Sequence, residues 1–162
     1  MIRPYDATDW PAIWAILEPV FRKGRTYVHP RDISEEEARK AWIDIPQATY
    51  VCVEDGEVLG TYYIKPNQPG QGSHICNCGY VVSDRARGKG TASRMCVHSQ
   101  EQGIGMGFTG MQFNLVVSTN EGAVRLWKKL GFEIVGTLPS AFRDPVDGLV
   151  DAFVMFKALG ER

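Results

Sequence analysis

The sequence predicts an α+β domain of three layers, with helices covering both faces of one sheet. The order of patterns predicts it. In the first half, β-rich runs follow one another without helices between them; from residue 74 onward strand, helix, strand, helix and strands succeed one another. No linker, repeat or low-complexity stretch interrupts the chain, so residues 1–162 are expected to form a single domain.

Ile2 to Tyr5 reads as a short first strand. Thr8 or Asp9 is expected to cap a helix that carries Trp10, Ile13, Trp14, Ile16, Leu17 and Val20 at helical spacing, with Pro11 in its first turn. Arg22 to Asp32 is a basic, aromatic loop containing Tyr27 and His29. Ser34 and Glu37 form a Ser-x-x-Glu capping box that opens a second helix through Trp42. Thr49–Glu54 and Val58–Ile64 are strands, and Asp55-Gly56 between them signals a hairpin. After a polar loop over Pro66–Gly72, His74–Val82 is the next strand. A helix runs from Gly90 to about Gln102, and a strand covers Met111–Val117. A helix after Asn120 is followed by a strand at Glu133–Gly136, a loop through Pro139, Pro145 and Gly148, and a last strand at Val150–Phe156. That makes seven strands.

Composition narrows the function. A chain of 162 residues buries roughly 70% of its unfolded surface, and 44% hydrophobic with 23% charged residues is ordinary globular material. A net charge of −1 argues against a nucleic-acid binder. No stretch approaches the ~18 apolar residues of a membrane helix, and the N-terminus lacks the apolar core of a signal peptide. Cys52, Cys76, Cys78 and Cys96 fit neither a metal site nor a Cys-x-x-Cys pair. The expectation is a cytoplasmic protein with four reduced thiols and no metal.

The segment Gly79 to Ser93 carries the chemistry. It reads as an apolar strand, a basic glycine loop and a helix start. The first amides of a helix lack internal partners and carry the positive end of its dipole. With Arg85, Arg87 and Lys89 beside them, they make a phosphate or pyrophosphate site. A Walker loop is excluded, because Ser83 stands at its first glycine and Gly90 follows Lys89. A dinucleotide loop is excluded, because Ser93 stands at its third glycine. Arg85-Ala86-Arg87-Gly88-Lys89-Gly90 fits Arg/Gln-x-x-Gly-x-Gly/Ala.

That hexapeptide resembles the coenzyme A pyrophosphate loop of the GCN5-related N-acetyltransferase (GNAT) superfamily. The run from Asn120 to Phe132 resembles that family's second motif, Asn-x-x-Ala-x-x-Leu-Tyr-x-Lys-x-Gly-Phe. The resemblance covers roughly residues 48 to 157. It implies the GNAT fold, a mixed sheet whose strands His74–Val82 and Met111–Val117 splay apart to receive the pantetheine arm. It also implies acetyl-coenzyme A as cosubstrate. The expected coenzyme contacts are Val81, Val82, Arg85, Arg87, Gly88, Lys89, Gly90 and Thr91, and on the second motif Asn120, Ala123 and Trp127. A β-bulge near Asn77–Val81 is expected, since Gly79 tolerates its geometry.

In the implied reaction a neutral amine attacks the thioester carbonyl, a tetrahedral oxyanion forms, and the C–S bond breaks to release the coenzyme A thiolate, which gains a proton. The protein must align the reactants and offer donors to the developing oxyanion, each worth typically ~3 kcal/mol. The backbone N–H of Val81 or Val82 is the expected donor. Many family members place a Tyr where this chain has Trp127. An indole has no proton of suitable acidity, so Trp127 is expected to be a wall of the pocket. Glu54, Asp84, Glu121, His74 and Tyr80 are base candidates by type, with transfer through ordered water as the preferred alternative.

Asn77 and Asn114 stand in the expected central strands, where asparagine is depleted. Each is either a catalytic, substrate-binding amide or a satisfied core amide or bulge partner. Asn120 is either a helix cap or, if Ser118 and Glu121 form a capping box, free for a ligand. The three resemble the set in fungal acetyltransferases that detoxify azetidine-2-carboxylate and related proline analogues. Tyr27, Tyr80 and Arg143 are further substrate-binding candidates; Arg143 would pair with a substrate carboxylate or stand as a solvated loop charge. The expected acceptor is a small amine, an amino acid or amino-acid-like toxin. The alternatives are a protein N-terminal or lysine acetyltransferase, or a non-catalytic acyl-coenzyme A-binding module. Many family members are homodimers, and that assembly is expected here.

Overall fold

The computed structural model describes residues 1–160. All seven strands join one sheet: β1 Ile2–Pro4, β2 Ala48–Glu54, β3 Glu57–Pro66, β4 Ile75–Val82, β5 Gly110–Val117, β6 Glu133–Asp144 and β7 Gly148–Ala158. Their order is β1-β2-β3-β4-β5-β7-β6, antiparallel except for the β4–β5 pair. Helices α1 Trp10–Lys23 and α2 Glu35–Arg39 cover one face; α3 Thr91–Gly105 and α4 Glu121–Lys129 cover the other. This is the three-layer GNAT fold.

Two cores form because β residues alternate between faces. On the α1–α2 face Ile13, Leu17, Phe21, Trp42, Val51 and Val81 pack together. On the α3–α4 face Tyr62, Ile64, Met95, Met111, Phe113 and Met155 do so. Polar groups inside the first core are paired: the Trp42 indole donates to Thr61 Oγ1 at 3.1 Å, and Thr61 donates to the Tyr50 carbonyl at 2.9 Å. Such pairing offsets the cost of burying them.

Several local expectations are corrected. Asp9 stands at the N-cap position of α1, as expected, but makes no side-chain cap bond there; Asp6 caps the 3-10 turn Ala7–Asp9 that precedes it, its carboxylate accepting from Thr8 N–H at 2.9 Å while Asp9 accepts from Asp6 N–H. The second helix changes to a π-helical turn over Lys40–Asp44, closed by Ile45 N–H to the Lys40 carbonyl at 2.9 Å. The stretch around Pro139 is strand, not loop. β6 is an edge strand, where a residue without an N–H is tolerated. Pro139–Ala141 bulge opposite Asp151, whose carboxylate accepts from Ser140 N–H at 2.9 Å. Arg143 is therefore a strand residue.

Candidate functional site

β4 and β5 pair only at Ile75↔Gly110 and Cys76↔Met111, and beyond that point they part. The expected bulge in β4 is not there: β3 and β4 stay in register from Pro66↔Cys76 to Gly60↔Val82. Gly79 serves a different purpose. A Cβ on it would meet the Tyr63 ring at 2.6 Å, so the glycine lets that ring approach the strand closely. The bulge lies in β5 instead, where Asn114 and Leu115 together oppose Val154. It changes the strand's phase, so that Met111, Phe113 and Val116 all reach the same core.

The parting exposes a backbone edge. Ser83 N–H donates to the Leu59 carbonyl at 2.8 Å, which sets the phase of the antiparallel ladder. Thr61–Val81 and Tyr63–Gly79 are then the pairs that exchange bonds with β3. The backbone groups of Cys78, Tyr80 and Val82 face the opening. Of the two donors expected from the sequence, Val82 faces the gap and Val81 is turned to β3, its side chain buried under α1. The Tyr80 carbonyl already accepts from the Tyr27 hydroxyl at 2.8 Å.

The gap is a cavity of about 580 Å³ running from Lys65 and Asn114 at one end to Ala92 and Asn120 at the other. Asn77 is 7% exposed, and its amide nitrogen donates to the Gln112 carbonyl at 2.9 Å. It spans the two strands just where their own ladder stops. Its oxygen accepts from the Tyr63 hydroxyl at 3.4 Å. Asn114 is exposed at the rim, donating to Asn67 Oδ1 at 2.6 Å and accepting from Gln112 Nε2 at 3.0 Å. Trp127 lines the gap from α4, 5.0 Å from Phe113 and 5.1 Å from Tyr80 between ring centroids.

At the far end, α3 begins without a side-chain cap. Gly90 occupies the cap position at φ 72°, and Gly88 stands at φ 77°. A Cβ on either would meet nothing within 4 Å, so the space in front of them is open. Arg94 N–H makes the first helical bond, to the Gly90 carbonyl at 3.0 Å, leaving the amides of Thr91, Ala92 and Ser93 pointing outward. The Thr91 side chain is buried against β3, so only its backbone is available there. Arg85 pairs with Glu57, and Arg87 with Asp84 at 3.0 Å; both arginines are exposed. Asn120, not Ser118, caps α4, accepting from Ala123 N–H at 3.4 Å, and both Asn120 and Ala123 line the gap. The uncapped helix, the open glycine turn and the unpaired β4 edge together fit a long ligand with a phosphate head and an amide-bearing arm.

Of the remaining expected substrate residues, Tyr80 lines the gap and Arg143 does not. Arg143 is exposed on β6 and lines a neighbouring recess that shares Tyr27, Val28 and His29 with the gap. The Tyr80 hydroxyl lies 2.6 Å from Ser99 Oγ of α3, and burial raises its pKa well above the ordinary phenol value. Glu54 pairs with Arg94 and Asp84 with Arg87. Neither these nor Glu121 and His74 line the gap. Two lining residues were not anticipated. His29 is half-buried beside Tyr27, their rings stacked at 6.2 Å, and makes no hydrogen bond among the described residues. Burial, then the charge of Lys65, lowers its pKa below the ordinary 6.5. Lys65 itself lies over the Tyr63 ring at 5.3 Å. Among the described residues no three His, Cys, Asp or Glu side chains group as metal ligands, and no helix is long and apolar enough to cross a membrane.

Comparison with known proteins agrees with this geometry. The structure superposes on a GCN5-related N-acetyltransferase from Kribbella flavida with a TM-score of 0.93 and 38% identity, covering 98% of this chain and 97% of that one. A phosphinothricin acetyltransferase from Sinorhizobium meliloti, solved with acetyl-coenzyme A, gives a TM-score of 0.88 over 99% of this chain and 89% of that one; at 20% identity the likeness is one of fold. In sequence, the chain is 41% identical over 98 residues to N-acetyltransferase aca1 of Schizosaccharomyces pombe, covering 60% of this chain and 47% of that protein. It is 32% identical over 99 residues to Protein SPT10 of Saccharomyces cerevisiae, covering 58% of this chain and 16% of that protein. The matched region thus spans less than half the length of these curated relatives. The pattern of the acetyltransferase (GNAT) family matches residues 10–132, and with the splayed strands and the uncapped α3 it shows that the chain belongs to that family.

Proposed function

We propose that the protein transfers an acetyl group from acetyl-coenzyme A to the primary or secondary amine of a small molecule, an amino acid or amino-acid-like toxin. The observation that carries this is the gap itself. One end opens on the uncapped start of α3, the middle offers an unpaired strand edge, and the other end carries polar side chains on the α1–α2 face. The pyrophosphate belongs at Gly88, Lys89 and Gly90 and the first amides of α3, with Arg85 and Arg87 at its side. The arm lies along β4, where the Val82 amide holds it.

Acetyl-coenzyme A supplies an already activated thioester carbonyl, so the residues need only align, polarise and move a proton. The acceptor wall lies at the Asn77 end of β4, so the amides of Tyr80 and Cys78 are the donors nearest the reacting carbonyl. This shifts the oxyanion role from Val82 toward the strand's start. Asn77 and Asn114 orient the amine, while Trp127 walls the arm. His29 takes the ammonium proton directly or through one water. Among the described residues that line the gap it is the one neutral-range base, since burial raises the Tyr27, Tyr63, Tyr80 and Cys78 pKa values. A cytoplasmic homodimer belongs to the same proposal. Four buried, unbridged thiols suit a reducing compartment, and exposed Val135, Leu138 and Leu149 on the β6–β7 hairpin offer apolar surface to a second copy.

The test is incubation with acetyl-coenzyme A and a panel of amino acids, proline analogues, polyamines, aminoglycosides and short peptides, with products read by mass spectrometry. Acetylation of amino acids or proline analogues, lost in Asn114→Ala, is expected. Acetylation confined to peptides points to a protein acceptor. Coenzyme binding without any product overturns the enzyme reading in favour of a binding module.

A further inference from the structure

Among the described residues that line the gap, Lys65 is the one lysine or arginine, and no described Asp or Glu lines it. Its position separates it from the phosphate end. Lys65 pairs in register with Asn77, and Val82 stands five residues further along β4. At ~3.3 Å per residue that is about 17 Å. The coenzyme's phosphates belong beyond Val82, at α3, so this ammonium does not serve them. It is half-buried, and among the described residues no carboxylate pairs with it. Its contact with the Tyr63 face, 5.3 Å from the ring centroid, holds it over the acceptor wall without neutralising it.

The neighbours of Lys65 agree in chemistry. Its charge reaches His29, whose pKa it helps to lower. Asn77 and the Asn67–Asn114 amide pair add uncharged polar groups around it. The adjoining recess, which shares Tyr27, Val28 and His29 with the gap, is lined by Arg31 and Arg143. Two arginines thus line the recess beside the gap, and among the described residues no acid lines the gap itself. A polyamine or aminoglycoside would meet repulsion and no counter-charge there. An amine that also carries a carboxylate would be attracted on approach and paired on arrival.

We propose that Lys65 binds the carboxylate of the acceptor, so that the protein selects α-amino acids and their cyclic analogues over amines without an acid group. This rests on the reading that the gap holds an amine for acetyl transfer. The role that the sequence offered to Arg143 passes to Lys65, because Lys65 lies inside the gap.

The test uses matched pairs: azetidine-2-carboxylate with its carboxamide, and L-alanine with L-alaninamide. Each is titrated calorimetrically into protein saturated with coenzyme A, and each is assayed for acetylation. Wild-type protein is expected to bind the carboxylates at least tenfold more tightly than the amides. Lys65→Met removes that preference, leaves amide affinity within about threefold and leaves acetyl-coenzyme A affinity unchanged; Lys65→Arg restores most of it. Comparing the preference between variants cancels the different amine pKa values of acid and amide. A preference that survives Lys65→Met, or its absence in the wild type, overturns the inference even where acetylation proceeds. Lys65-dependent carboxylate binding without turnover upholds the inference and overturns the acetyl-transfer reading instead.

Discussion

The Asn77 side chain bonds the Gln112 carbonyl at 2.9 Å, one residue beyond the last register pair of β4 and β5. A side chain thus makes the bond that the diverging backbones no longer make. Removing it leaves a half-buried carbonyl without this donor. Asn77→Ala is therefore expected to cost roughly 1–3 kcal/mol of stability as well as activity. Asn114 is exposed at the rim, and its alanine variant should change stability by no more than about 0.5 kcal/mol. Urea unfolding beside kcat/KM separates the two. If Asn114→Ala lowers kcat/KM tenfold at unchanged stability, the amide works on the substrate; unchanged kcat/KM removes Asn114 from the site.

Tyr27 reaches the same edge from the other side, its hydroxyl donating to the Tyr80 carbonyl at 2.8 Å. Tyr27→Phe keeps the ring that stacks on His29 and deletes only that donor. A loss of about 1 kcal/mol is expected. Burial raises the Tyr27 pKa well above its ordinary value, so the hydroxyl stays protonated across the working range. The pH–rate profile of the variant should keep its shape. A limb that disappears with Tyr27 would make the hydroxyl a proton carrier.

The fold was legible where local chemistry decides it. Asp55-Gly56 marked the β2–β3 turn, Ser34 and Glu37 form the capping box in the structure, and Gly88 and Gly90 adopt the left-handed backbone that their motif needs. What stayed hidden depends on partners distant in the chain. Pro139 reads as a loop until β6 is known to be an edge strand. Gly79 reads as a bulge until the Tyr63 ring is seen upon it. Lys65 and His29 carried no motif. The loop between β3 and β4 sets the register that puts Lys65 opposite Asn77, and no turn signal fixes that register.

Gly90 and Gly148 offer a matched pair. Both have positive φ, 72° and 75°, and a Cβ on either would meet nothing within 4 Å. Alanine at each should cost a similar roughly 1–2 kcal/mol of backbone strain. Only Gly90 stands before the free amides of α3. Gly90→Ala is expected to weaken acetyl-coenzyme A binding about tenfold in calorimetry, and Gly148→Ala to leave it unchanged. Equal affinities in the two variants would place the pyrophosphate elsewhere.

His29 sets the expected pH dependence. Burial and the Lys65 charge disfavour its protonated form, so its pKa lies below the ordinary 6.5 and the imidazole is a neutral base at pH 7. A rate that needs the neutral form is fully present above that range and is lost as pH falls through the lowered pKa. The acid limb of kcat/KM should therefore lie below 6.5. Tyr27 and Tyr63, the other titratable groups beside it, remain protonated there because burial raises their pKa values. Deleting the Lys65 charge removes the second cause of the shift, so Lys65→Met should move the limb upward. His29→Gln should abolish the limb and lower kcat/KM about 100-fold, within the range of general-base effects. A limb unchanged in His29→Gln would assign the proton to ordered water and leave His29 as packing.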